Sequence, residues 1–179
     1  MSVEDTKEPW MNYLALTTVI FAVCATLATF KGGGYSTKSV ISQAQASDQW
    51  AFYQAKAVKS YLYELQKEKL ELELATLDKK LNPEVKDRYT QAISHAQESV
   101  DKYEKEKNTI QSAAKDLEHQ RDMAQLHSHP FGIAVIFLQV AILICSIAGL
   151  FKRKILWQVA MPLGLLGVVY FFNGFFLFF

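Results

Sequence analysis

The chain has few cysteines and no excess of charge of either sign. Its 179 residues include two cysteines, Cys24 and Cys145, and both lie inside long apolar stretches. The polar part of the chain has none, so the sequence excludes a disulfide framework, and cysteine usage does not indicate the compartment. The formal net charge is +1. Phosphate contacts need a basic excess, so this balance argues against a nucleic-acid partner.

Ionisable side chains are missing altogether from three stretches, at residues 12–30, 131–151 and 155–179. None of them contains Asp, Glu, Lys, Arg or His. Each is close to the ~20 residues that an α-helix needs to cross the hydrocarbon core of a bilayer. The sequence therefore predicts an integral membrane protein with three transmembrane helices, whose partners include the membrane lipids.

The rest of the chain is polar and divides unequally around these stretches. Residues 1–11 form a short acidic tail, and the apolar stretch behind it is too long for a signal peptide, which predicts a retained anchor. Residues 31–129 contain fifteen Lys or Arg and fifteen Asp or Glu. Mixed charge at this density is typical of solvated helix surfaces.

Small residues recur along the first two transmembrane stretches. In lipid, helices associate through small residues that let their backbones approach, because hydrophobicity does not drive them together. We therefore expect tight helix contacts along one stripe of the first stretch and along Ala134, Ala141 and Ala148 of the second. The stripe of the first stretch consists of Ala15, Thr18, Ala22, Ala25 and Thr29. Three glycines follow it, and their low helix propensity predicts a break at residues 31–35.

The segment at residues 36–129 has the apolar spacing of two long helices. Residues 82–84 form the turn, with Asn82 as a helix cap and Pro83 as the first residue of the second helix. The spacing predicts an antiparallel coiled-coil hairpin. The expected seam of the first helix is Ala51, Ala55, Val58, Leu62, Leu65, Leu70, Leu74, Leu77 and Leu81. The expected seam of the second is Tyr89, Ile93, Ala96, Val100, Tyr103, Ile110, Ala114, Leu117 and Ala124, interrupted only by Lys107 and Arg121.

A two-helix hairpin with an alanine-rich seam buries little apolar surface. We therefore expect copies of the chain to pack against one another as a homo-oligomer. The predicted fold class is an all-α membrane protein with three transmembrane helices and this hairpin between the first and the second.

A basic loop at residues 152–154 joins the last two apolar stretches. Positive residues in short loops favour the cytoplasmic side, which places the hairpin on the non-cytoplasmic side. The flanks of the first stretch favour the reverse, because its N-terminal side is acidic and Lys31 and Lys38 follow it. We take the compact basic loop as the guide.

No arrangement of side chains typical of an enzyme occurs in the sequence. The carboxylates alternate with lysines at helical spacing, as on an ion-paired surface. His119, His127 and His129 lie near the second apolar stretch, and His95 stands alone; without cysteines they do not amount to a structural metal site. We predict a chain that is not an enzyme and has no metal, catalytic residue or cofactor.

Two groups of residues are candidates for interaction or transport. The first lies at the start of the hairpin and is either a binding surface for lipid headgroups or another membrane protein, or the widest part of the hairpin core; it consists of Asp48, Trp50, Tyr53, Gln54 and Lys56. The second is the amide pair Gln139 and Asn173, which either line a pore in an oligomer or hydrogen-bond between helices. The expected function is a non-enzymatic oligomeric scaffold or assembly module. The alternative is a small homo-oligomeric channel or tension-responsive pore.

The same region carries a resemblance to a known family. A transmembrane stretch is followed by the run A-S-D-Q-W-A-x-Y-Q-A-K at residues 46–56, then a charged helical region, then two apolar stretches split by the basic loop and Trp157. In these features the chain resembles the bacterial domain-of-unknown-function family 4337. The resemblance implies a location in the bacterial inner membrane and transfers no catalytic residue.

Overall fold

A computed structural model of the chain describes residues 9–77 and 82–178. In these ranges the chain forms three α-helices and no strand: α1 (Pro9–Leu77), α2 (Pro83–Phe151) and α3 (Lys154–Phe176). Each helix contains a stretch long and apolar enough to cross a membrane. The prediction of an all-α chain is confirmed. Most of the predicted polar tail at residues 1–11, together with Leu81 and Phe179, lies outside the described residues.

The helices do not end where the sequence changes from apolar to polar. α1 continues through Gly32, Gly33 and Gly34 without interruption, so the predicted break at residues 31–35 is wrong. Packing outweighs the low helix propensity of glycine here. A Cβ atom on Gly32 would come 2.8 Å from Cβ of Phe131, so this glycine permits a close approach of α1 and α2. α2 likewise continues through Pro130.

The start of α2 agrees with the sequence. α2 begins at Pro83, and the carbonyl oxygen of Asn82 accepts hydrogen bonds from the backbone N–H groups of Val85 (3.0 Å) and Lys86 (3.1 Å). Pro83 lacks an N–H group, which costs nothing in the first helical position. Pro83 therefore takes its predicted role as the first residue of the second helix. The turn predicted at residues 82–84 is not confirmed, because Pro83 and Glu84 are already helical, and residues 78–81 lie outside the described part of the chain.

The chain divides into two compact units. The apolar unit contains the described residues up to Ile41 together with residues 120–178. The charged unit contains residues 42–119 except the undescribed 78–81. Residues 36–41 and 120–129, which the sequence analysis assigned to the hairpin, therefore pack within the apolar unit.

In the apolar unit the three helices meet through small and aromatic residues. Ala134, Ala141 and Ala148 are fully buried, which confirms the small-residue stripe predicted on α2. The glycines of α3 face the other helices, since a Cβ on Gly167 would come 2.7 Å from Cγ of Leu138. The main core cluster comprises Phe21, Ala25, Ala28, Phe131, Ala134, Leu138, Ala141 and Phe171.

The link between α2 and α3 is as short as the sequence predicts. Lys152 adopts a left-handed backbone with φ of 52°, and the N–H of Arg153 donates to the carbonyl of Ala148 at 3.1 Å. α3 starts at Lys154, within the predicted basic loop. It continues through Pro162, whose missing N–H does not end the helix.

In the charged unit, segments of α1 and α2 run antiparallel. Rising residue numbers on α1 contact falling numbers on α2, as in the pairs Trp50–Glu118, Ser60–Glu104 and Lys67–Gln97. The predicted seam of α2 lies on the contact side, because its residues from Tyr89 to Leu117 are all buried or half-buried.

The predicted seam of α1 is largely on the wrong face. Val58, Leu62 and Leu65 are 58%, 60% and 61% exposed, and Ala51 and Ala55 are also exposed. Smaller and polar residues face α2 instead, since Ser42, Ala46 and Ser60 are buried. Leu70 and Leu74 are half-buried, whereas Leu77 is exposed. The large aliphatic residues of α1 thus remain uncovered over residues 51–65.

Candidate interaction site

The five residues predicted as an interaction surface do not share one exposed face. Trp50 donates its indole N–H to Oε1 of Glu118 at 2.9 Å, and its ring meets Tyr53 edge-on at 5.5 Å. Lys56 forms a 2.6 Å ion pair with Glu106. Trp50, Tyr53 and Lys56 therefore contact α2 or each other, while Asp48 and Gln54 are exposed.

The ion pair between Lys56 and Glu106 shifts the pKa values of both side chains. Its hydrogen bond raises the pKa of Lys56 and lowers the pKa of Glu106. The ammonium group of Lys56 also lies 5.3 Å from the ring centroid of Tyr103. Lys56 thus connects α1 to α2 and leaves little of its charge for another partner.

A buried polar network lies at the interruption of the α2 seam. Ser60 is 1% exposed and donates its hydroxyl to Oε1 of Glu104 at 2.9 Å. Lys107 donates to the same oxygen at 2.7 Å, and its ammonium group lies 5.5 Å from the ring centroid of Tyr53. A buried lysine costs free energy unless it is paired. The Lys107–Glu104 pair lies within α2, whereas Ser60 and Tyr53 reach it from α1. These two contacts from α1 form in one register, so they favour that register of α1 against α2.

The network predicts an acid-sensitive contribution to stability. Hydrogen bonds from Lys107 and then Ser60 lower the pKa of Glu104 in the folded chain. A carboxyl group with a lowered folded pKa stabilises the fold above its unfolded pKa of about 4.3, and this contribution disappears as the pH falls through the folded pKa. We expect Glu104→Gln to lower the unfolding midpoint at pH 7 by a few degrees, with the difference shrinking below about pH 4.

The measurement is thermal unfolding of the full chain by circular dichroism across a pH series. Glu98→Gln is the matched control, because Glu98 is exposed on the same helix. A Glu104→Gln penalty that stays constant down to pH 3, or equals that of the control, would contradict the network.

In the apolar unit, polar contacts join all three helices at one level. The ring of Tyr35 stacks on His127 at 4.8 Å, and Nδ1 of His127 lies 2.9 Å from the carbonyl oxygen of Gly174. A carbonyl only accepts, so Nδ1 carries the hydrogen. Ser128 donates its hydroxyl to the carbonyl of Gly32 at 3.2 Å. His127 is therefore a structural contact between helices.

The other histidines do not join it in a metal site. His95, His119 and His129 are exposed. Among the described residues no group of three or more His, Cys, Asp or Glu side chains is placed to hold a metal ion.

The small-residue stripe predicted on α1 is only partly used within the chain. Ala25 is buried and Thr18 half-buried, but Ala15, Ala22 and Thr29 are exposed. At each of these three positions the preceding residue is buried instead. The face of α1 that packs inside the chain consists of Leu14, Phe21, Ala25, Ala28 and Gly32. As a contact within one chain the predicted stripe is therefore wrong at three of five positions. As a contact with another chain it stays a prediction.

The two amides proposed for a pore have different environments. Asn173 is 2% exposed, and its Oδ1 accepts the backbone N–H of Phe178 at 2.6 Å, while its carbonyl accepts that of Leu177. It thereby caps the C-terminal end of α3. Gln139 is exposed on α2. Within one chain the two side chains do not line a common surface.

An exposed apolar stripe on α1 is the main feature of the charged unit. Its members follow steps of four, three, four, three and seven residues and therefore lie on one helix face. We define the outer stripe as Ala51, Ala55, Val58, Leu62, Leu65 and Leu72, all of them exposed. Phe52 and Tyr61, 59% and 60% exposed, flank it. Sequence reasoning identified most of this stripe but assigned it to the interior of the hairpin.

The opposite helix of the charged unit has no comparable stripe. Among the described residues of α2 up to His119, the only large hydrophobic residue with an exposed side chain is Val85, in the first turn. The outer stripe is thus the apolar face that the charged unit leaves uncovered.

Comparisons with known proteins agree with the sequence pattern. Searches of curated proteins and of solved structures found no match. A family model described as "Domain of unknown function (DUF4337)" matches residues 10–177, which covers α2, α3 and all of α1 except Pro9. The chain therefore belongs to the DUF4337 family.

Proposed function

We propose that this protein is a non-enzymatic membrane scaffold that self-associates through the outer stripe of its charged unit. The observation that carries the proposal is an apolar face with coiled-coil spacing that is exposed to water. Large exposed apolar patches on soluble surfaces mark interaction sites. Heptad spacing specifies a partner helix, because only a helix presents side chains at a matching repeat.

The partner that best fits the outer stripe is a second copy of the same chain. The exposed face of α2 is polar, so α2 of a neighbouring molecule offers no apolar surface to cover the stripe. A second copy brings an identical stripe on its own α1. Two such stripes cover each other in a symmetric contact, which is the commonest kind of homo-oligomer interface.

The area available is sufficient for a specific interface. Six large side chains on and beside the stripe are 58–69% exposed: Phe52, Val58, Tyr61, Leu62, Leu65 and Leu72. At this exposure each offers on the order of 100 Å². The four large residues of the stripe itself would bury about 800 Å² in two copies. Phe52 and Tyr61, on opposite edges of the stripe, bring the upper limit to about 1,200 Å², the lower end of the range for stable interfaces. Each copy keeps its own α1–α2 contacts, so the assembly is a coiled-coil bundle of four helical segments.

The test is to place charge on the stripe. We expect the triple variant Val58→Glu, Leu62→Glu, Leu65→Glu to reduce the particle to a monomer, because burying three unpaired carboxylates costs several kcal/mol. Light scattering in detergent gives the mass of the protein part of the particle. Helix content should stay at the wild-type value, since the three side chains are exposed within one chain.

The control carries the same added charge on the polar face. Ser94→Glu, Asn108→Glu and Ser112→Glu lie at exposed positions of α2 and should leave the mass unchanged. A wild-type protein that is already monomeric, or a stripe variant that keeps the oligomeric mass, would refute the scaffold proposal.

We further propose three membrane crossings, one in each helix, in the bacterial inner membrane. The basic residues between α2 and α3 favour the cytoplasmic side for that link, which puts the charged unit on the non-cytoplasmic side. Labelling of a cysteine introduced at Asn82 by a membrane-impermeant reagent tests this orientation. Labelling only after the membrane is opened would reverse it.

The pore remains the alternative, with weaker support. Asn173 is engaged in ending α3, so of the two amides Gln139 alone is exposed for a pore. The outer stripe lies outside the apolar unit and supports assembly without requiring a conducting path.

A further inference from the structure

We propose that α1 holds the headgroup of an anionic phospholipid in a recess just beyond its apolar stretch. The recess is a shallow, open depression on the surface of α1 alone, and its lining includes Phe30, Lys31, Gly33, Gly34, Thr37 and Lys38. It lies wholly within the apolar unit. This binding site is separate from the outer stripe and does not depend on self-association.

The position of the recess along α1 matches the headgroup level. The uncharged stretch of α1 ends at Phe30, whose side chain is 76% exposed, and Lys31 is the first charged residue after it. If α1 crosses the bilayer, acyl chains end beside Phe30 and phosphates begin beside Lys31. A lipid headgroup is the ligand that the bilayer itself supplies at this level, and an anionic one is attracted to lysines within a Debye length of the surface.

The two lysines present their charges together and uncompensated. Lys31 and Lys38 are seven residues apart, close to two helical turns, and therefore lie on the same side of α1. Both are exposed, and neither forms an ion pair within the described residues. No Asp or Glu occurs in α1 before Asp48. Lysine ammonium groups bind phosphate as point charges.

The glycines supply space for the headgroup. Gly33 and Gly34 are in the middle of a helix, so their N–H groups are used by the helix and offer no donors. A Cβ atom on either would meet no other atom within 4 Å. The recess therefore opens away from the protein, unlike Gly32, which packs against Phe131. The hydroxyl of Thr37 borders the same space.

The test counts lipids on the full-length protein by native mass spectrometry after incubation with phosphatidylglycerol or phosphatidylcholine. We expect each wild-type chain to retain one more phosphatidylglycerol than phosphatidylcholine. This count excludes any phosphatidylglycerol bound by the basic loop at residues 152–154. Lys31→Gln with Lys38→Gln should weaken this extra binding about 30-fold, at roughly five-fold per lysine. Gly34→Leu should abolish it while keeping both charges, because Gly34 is three residues from Lys31 and four from Lys38, on the same side of α1, and its side chain would fill an open space.

Lys105→Gln with Lys115→Gln is the charge-matched control at exposed positions of the charged unit, and it should retain the lipid. The proposal would be overturned if the Lys31/Lys38 double variant retained as much phosphatidylglycerol as this control. Retention by Gly34→Leu would also overturn it, since binding would then be diffuse attraction without a recess. Displacement of the lipid by inorganic phosphate would show a free-anion site instead.

Discussion

Replacing Ile93, Val100 and Ile110 together with Asp should unfold the charged unit. All three side chains are half-buried on the face of α2 that contacts α1. Each Asp would place a carboxylate in this contact without a cationic partner, at a cost of several kcal/mol. We expect a total loss of more than about 5 kcal/mol, visible as a large fall in helical circular dichroism at 25 °C.

A control with the same charge separates burial from net charge. Ser94→Asp, Asn108→Asp and Ser112→Asp add three carboxylates to exposed positions of the same helix. The control should keep the wild-type helix content. If the seam variant also keeps it, the assignment of this α2 face to the α1 contact is wrong.

The second large effect is expected at the contact between α1 and α3. Gly164 is buried, and a Cβ added there would overlap the ring of Phe21, which is 4% exposed. The ring is enclosed by the core of the apolar unit and has little room to move. We expect Gly164→Leu to cost about 3 kcal/mol or more, because overpacking strains both helices. A fall in the thermal midpoint of the detergent-solubilised protein, followed by size-exclusion chromatography after heating, measures it.

Gly33→Leu is the matched control, since it makes the same chemical change in the same unit. A Cβ there meets nothing within 4 Å, so the midpoint should stay at or above the wild-type value. Equal midpoints for Gly164→Leu and Gly33→Leu would contradict the packing of Phe21 against α3.

The two glycines illustrate what sequence alone does not distinguish. Both are glycines in long helices, and each would ordinarily weaken a helix by ~1 kcal/mol relative to Ala. Gly164 is required by a neighbouring ring, whereas Gly33 borders open space. The residues next to a glycine in the sequence do not show which distant side chain packs on it. The break at residues 31–35 was predicted from helix propensity alone, and the packing of Gly32 on Phe131 is not visible in the sequence.

The seam on α1 shows the same limit in the charged unit. The spacing of Val58, Leu62 and Leu65 correctly indicates one helix face, and aliphatic size suggests that this face is buried. The structure instead buries Ser60, whose hydroxyl donates to Glu104, the same carboxylate that accepts from Lys107. Its partner Glu104 is 44 residues away in the sequence, and no local pattern reveals this pairing.

The sequence by itself determined the helical class, the three apolar stretches, the start of α2 at Pro83, the contact face of α2 and the small-residue stripe at Ala134, Ala141 and Ala148. These features follow from local quantities: hydropathy over twenty residues, side-chain period and the missing N–H of proline. Only the tertiary structure decided that α1 passes through Gly32–Gly34 and that the aliphatic face of α1 stays exposed. Those outcomes depend on which distant residues meet, and that is settled by packing and by the pairing of buried polar groups.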